Sequence, residues 1–141
     1  MKRKYNLIIL LVYIAIVFFF TVLKRDIVIS RKPVRLDFFQ GYIKPISDNY
    51  NEIIVNIVLF IPIGFLIGLI SDKYRIAKVL LGGLMISLLI ECSQLYWKRG
   101  IFDVDDLFNN TLGTVIGGLI AIAFKRLLKR KNTTSKTDIL C

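Results

Sequence analysis

Four apolar stretches alternate with short polar segments along this chain. Tyr5–Leu23 carries no charge, and Glu52–Ile70 carries only Glu52, at its first position. Ile76–Tyr96 holds Lys78 near one end and Glu91 toward the other, and Leu107–Phe124 is again uncharged. At a rise of ~1.5 Å per residue, each stretch can cross a hydrocarbon layer of ~30 Å. The pattern predicts an all-α polytopic membrane protein, a bundle of four transmembrane helices forming one domain over residues 1–141. A basic start followed by an apolar run also fits a signal peptide. However, the run is long and no small-residue cleavage site follows before Lys24, so Tyr5–Leu23 is read as an uncleaved span.

Within the spans, small and irregular residues mark packing. Pro62 lies inside the second span, where it removes a backbone hydrogen bond that neighbouring helices must make good. Gly64 and Gly68, Gly82-Gly83, and Gly113 with Gly117 and Gly118 are small-residue faces that let helix backbones approach. Between spans, 24–50 is the longest polar loop. Ile27–Ser30 and Val34–Phe39 have strand character with Arg31-Lys32-Pro33 as a turn. Phe38, Phe39 and Tyr42 suit a headgroup region, and Pro45 and Ser47 precede the second span. The loop reads as a connector, with a lid as the alternative. Ser71–Arg75 is a basic turn, 97–106 an acidic loop, and 125–141 a basic polar tail with a disordered end.

Charge then sets orientation. The formal net charge is +10 and mean hydropathy is +0.64. The basic residues cluster at span ends, with no basic face bearing exposed aromatics, which argues against nucleic-acid binding. Four spans return both termini to one side. That side collects 12 lysines and arginines against 8 on the other, including Lys73 in the basic turn, which predicts cytoplasmic termini and an outward-facing acidic loop. Histidine is absent, which removes the usual general base and the commonest transition-metal ligand. Cys92 and Cys141 fall on opposite sides of this topology and are read as free thiols. No cofactor is expected.

The polar residues near the outer boundary carry the candidate chemistry. Asn56, Glu91 and Asn110 come from three different spans at similar depth. Glu91 and Gln94 share a face at i, i+3, and Asp106, Asn110, Gly113 and Gly117 share another. A pocket walled by Asn56, Glu91, Gln94 and Asn110 follows, rimmed by Arg99, Asp103, Asp105 and Asp106. Arg99 is the expected partner of one rim aspartate.

Each residue also has a plainer reading. A centred acid costs ~2.5–3.5 kcal/mol on insertion scales, so Glu91 is affordable as a purely structural hydrogen-bonding group. Either Asp105 or Asp106 suits the N-cap of the last span. Asn109 and Asn110 fit interhelical bonding, and Asn110 fits the pocket equally well. Trp97 reads as an interfacial anchor. Asp103, Asp105 and Asp106 are also a candidate cation site, although the stretch lacks the glycine and the spacing of a calcium loop.

The ordered set Asn56…Phe60-Ile61-Pro62-Ile63-Gly64, Glu91-x-x-Gln94 and Arg99…Asp103-Val104-Asp105-Asp106…Asn110-Thr111-Leu112-Gly113 resembles the VanZ-like membrane protein family. The match covers about 51–121, half the chain. The resemblance implies a small polytopic protein of the bacterial cell membrane, linked through the name-giving member to resistance to teicoplanin, a lipid-bearing glycopeptide. By that matching, Asn56, Glu91, Gln94, Arg99, Asp103, Asp106 and Asn110 are the positions of interest.

Three functions are weighed. The first is binding of a membrane lipid headgroup or lipid-linked cell-envelope glycan, contributing to lipoglycopeptide resistance. The second is an intramembrane enzyme on a lipid-linked substrate, with Glu91 as catalytic acid or base. The third is a non-catalytic partner subunit, its glycine faces recruiting another membrane protein or a second copy.

Overall fold

The computed structural model describes residues 2–28, 30, 33–37, 47–72 and 75–137. Helix α1 (Lys2–Phe18) runs into a π-helical turn, Phe19–Leu23. Strand β1 (Val34–Arg35) follows, then α2 (Ser47–Ile70) and α3 (Arg75–Tyr96). Strand β2 (Phe102–Asp103) leads directly into α4 (Val104–Thr137). All four helices, with the π turn extending the first, are long and apolar enough to cross a membrane. The architecture is an all-α bundle, and the chain is a multi-pass membrane protein.

The tightest contact is between α2 and α4, and glycine is the reason. A Cβ on Gly113 would overlap the Ile57 carbonyl, one on Gly117 the Ile61 carbonyl, and one on Gly64 the Thr114 carbonyl. Backbone therefore rests on backbone along this seam, the close approach that small residues permit in a bilayer. Helix α1 packs on the other side of α2. Leu10, Val17 and Val22 meet Phe60, Ile63 and Leu66 in one buried cluster. The Tyr13 hydroxyl donates to the Leu59 carbonyl at 3.0 Å, in the turn that Pro62 disturbs. Leu11, Val58, Leu81 and Leu89 are each more than half exposed, as lipid-facing side chains are.

Three local features depart from the expectations above. Helix α4 starts at Val104, so Asp105 and Asp106 lie inside its first turn and neither is the cap. Asp103 is the cap: its Oδ1 accepts the Asp105 N–H at 3.0 Å. The acids at 105 and 106 then sit where the helix dipole favours negative charge. At its other end α4 runs on to Thr137 through the segment read as a polar tail. After Gly118 no glycine or proline interrupts it, and Lys, Arg and Leu are good helix formers.

The third departure is in the long loop. Among the described residues, Val34–Arg35 makes no strand pairing with the segment from Ile27 to Ser30. It pairs in parallel with β2, Val34 opposite Phe102 and Arg35 opposite Asp103. The Val28 N–H donates to the Lys98 carbonyl at 2.7 Å, and the Phe102 N–H to the Pro33 carbonyl at 2.8 Å. The loop gains more from the unpaired backbone of 98–103 than from itself, since buried amides need partners. Arg31, Lys32, Phe38, Phe39, Tyr42, Pro45, Lys73 and Cys141, with the tail end 138–141, lie outside the described residues.

Candidate functional site

At the end of the bundle that carries Arg25 and Asp103, the four helices border an open cavity of about 390 Å³. Helix α2 supplies Glu52 and Asn56 from one face, four residues apart. Helix α3 supplies Glu91 and Gln94, and α4 supplies Asp106 and Asn110. The π turn of the first span brings Phe20 and Thr21, with Arg25 just beyond it. Val55, Leu59, Phe60 and Ile90 give the cavity an apolar side. A π turn inserts an extra residue into a helix and is common at functional sites.

The wall residues are held by hydrogen bonds between helices. Glu91 is 2% exposed, and its Oε2 accepts the backbone N–H of Asp103 at 3.2 Å. Asn56 Nδ2 donates to Asp106 Oδ1 at 2.7 Å, linking α2 to α4. Gln94 Nε2 donates to the Thr21 carbonyl at 3.1 Å, linking α3 to the π turn. Asn110 Nδ2 donates to Ser87 Oγ at 3.0 Å. Ser87, Glu91 and Gln94 thus form one polar face of α3 at i, i+4 and i+7. Gln94 and Asn110 are both buried, yet Gln94 Oε1 and Asn110 Oδ1 have no hydrogen-bond partner among the described residues. A buried acceptor without a donor costs ~1–3 kcal/mol, so these two oxygens are among the least satisfied polar atoms of the bundle.

Five of the eight sequence candidates meet at this cavity: Asn56, Glu91, Gln94, Asp106 and Asn110. Asp103 lies behind the wall, 2% exposed and ion-paired with Arg35. Asp105 is buried in the first turn of α4 and does not line the cavity. The three aspartates do not converge, and no group of three potential metal ligands forms among the described residues. Among the described residues, Arg99 pairs with no aspartate. Its Nη1 donates to the Leu23 carbonyl at 2.9 Å and the Arg25 carbonyl at 2.6 Å. It pins the end of the first span, and with it Arg25, at the cavity mouth.

Arg25, Arg35, Glu52 and Ser87 were not singled out from sequence. Glu52 and Ser87 carried a usable signal, each standing one turn from a candidate on the same helix face. Arg25 reads as an ordinary flanking charge, and Arg35 sits in a loop with no pattern of its own. Asn109, read as interhelical glue or a solvent contact, is fully buried, which excludes the second, and does not line the cavity. Trp97 does more than anchor an interface, since its ring meets Phe18 edge-on at 5.7 Å and joins α3 to α1.

The approach to the site is shaped at the end of α3. The Arg99 N–H bonds the Gln94 carbonyl at 2.8 Å and the Lys98 N–H the Leu95 carbonyl at 3.2 Å. This is a Schellman closure, and its left-handed position, usually glycine, is Lys98 with φ 54°. The closure turns the chain sharply, so that 98–103 passes over Glu91.

Fold and site together define a small polytopic membrane protein with a part-polar, part-apolar cavity open between its own helices. The chain belongs to the VanZ/LLP1 family, whose pattern it matches over residues 7–126. It is similar to Protein VanZ of Enterococcus faecium, at 29% identity over 86 residues, 60% of this chain and 53% of that protein. The chain therefore spans about half the length of the curated relative it matches. No solved structure matches it.

Proposed function

We propose that this protein binds the headgroup of an envelope lipid, or a lipid-linked glycan, in the four-helix cavity. Both termini are cytoplasmic on this reading, so the cavity opens in the outer leaflet of the cell membrane. Occupying or presenting that lipid would reduce the access of lipoglycopeptide antibiotics of the teicoplanin type. One observation carries the proposal: buried polar side chains from separate helices converge on a cavity that also has an apolar side. Such groups are costly in a bilayer and mark binding sites by default. The test is antibiotic susceptibility in cells making Glu91→Gln or Asp106→Asn at wild-type levels. The expected result is loss of resistance, and unchanged susceptibility rejects the reading. A reporter fused at Lys98–Phe102 should report the outside of the cell.

An acid–base role for Glu91 has its own support, because the carboxyl lines the cavity and is bonded through only one oxygen in the hydrogen bonds described. Turnover of a purified lipid-linked substrate, lost in Glu91→Gln, would replace binding with catalysis.

A further inference from the structure

The polar atoms of the cavity are unequal in kind. Three carboxyl side chains, Glu52, Glu91 and Asp106, line it against one guanidinium, Arg25. The amide nitrogens of Asn56, Gln94 and Asn110 already donate within the protein, to Asp106, the Thr21 carbonyl and Ser87. The carbonyl oxygens of Gln94 and Asn110 have no partner among the described residues, but both atoms are themselves closed off from the cavity space. What the wall offers a ligand is therefore three carboxyl groups, with one cation at the mouth. Phe20, Val55 and Leu59 add an apolar side suited to chain or glycerol carbons.

We propose that the cavity selects a membrane lipid whose headgroup joins a primary ammonium to a phosphate. The ammonium has three N–H donors for the carboxyls, and the phosphate pairs with Arg25. The proposal rests on the lipid-binding reading above and narrows it. A trimethylated ammonium has the same charge but no N–H, so it would give the carboxyls no hydrogen bond. An uncharged polyol on an anionic phosphate would meet the excess of acids unfavourably. Two lipid types carry the required group: amino-alcohol phosphodiesters and aminoacyl esters of phosphatidylglycerol.

The experiment is lipid competition on the full chain in nanodiscs, read by native mass spectrometry. The probes are phosphatidylethanolamine, lysyl-phosphatidylglycerol, phosphatidylcholine and phosphatidylglycerol. The expected result is retention of one or both amine lipids over phosphatidylcholine by about tenfold, since a site built for donors rejects a ligand lacking them. Which amine lipid is retained identifies the source. Glu52→Gln, at an exposed position that the fold tolerates, should reduce the preference several-fold, and Asp106→Asn should do the same. Arg25→Gln should weaken all four lipids alike. Equal retention of phosphatidylcholine, or preference for phosphatidylglycerol, overturns the ammonium proposal and leaves lipid binding standing. Retention of no probe overturns both.

Discussion

Two regions of the same helix pair behave in opposite ways. Along the α2–α4 seam, Gly64, Gly113 and Gly117 put backbone against backbone and leave no room for a side chain. One turn away, Asn56 and Asn110 on those same helices line an open cavity. The seam is close-packed and apolar. The cavity sets carboxyl and amide side chains beside an apolar wall. The two are connected physically. Close approach at the glycines fixes the helices, and the polar residues on adjacent turns of the same faces are then presented together. Rigidity in one place allows an open site in the other.

Breaking the seam should have the largest effect. Gly117→Leu would drive a side chain into the Ile61 carbonyl, and overpacking of this kind costs roughly 1–3 kcal/mol or more. The expected outcome is loss of folded, monodisperse protein in detergent. Full accumulation with an unchanged Tm would show that the seam is not what holds the bundle.

Next comes the strap over the cavity wall. Asp103→Ala removes the cap of α4 and the partner of Arg35, and cap loss alone costs about 1 kcal/mol. The Tm in detergent should fall, and the headgroup preference should fall with it, because the Asp103 backbone holds Glu91. A lowered Tm with intact lipid selectivity would separate the strap from the site.

A cavity residue should divide stability from binding. Gln94→Leu loses one hydrogen bond to Thr21 and also removes an unpartnered buried oxygen, so the two effects oppose and the net change should stay within about 1 kcal/mol. Lipid retention should nevertheless drop. A large fall in Tm would mean that Gln94 is structural glue.

The smallest effect should be a gain. Lys98→Gly relieves a left-handed position that costs a side-chain-bearing residue about 1 kcal/mol. Thermal stability should rise slightly without changed lipid selectivity. A loss of selectivity would show that the lysine side chain itself serves the site.

The sequence by itself determined the spans, because apolar runs of that length with so few charges have one low-energy setting, a bilayer. It also determined the glycine faces and five of the cavity residues, since helical spacing places Glu91 with Gln94 and Asp106 with Asn110 and Gly113 before any fold is known. What only the tertiary structure decided lies in the loops and between helices. Asp103 caps α4, and Arg35 pairs with Asp103 across 68 positions of chain. Arg99 bonds two carbonyls instead of an acid. Helical periodicity is a local signal that each span carries alone. Pairing between a loop and a distant turn depends on which backbone groups folding leaves unsatisfied, and no local pattern states that in advance.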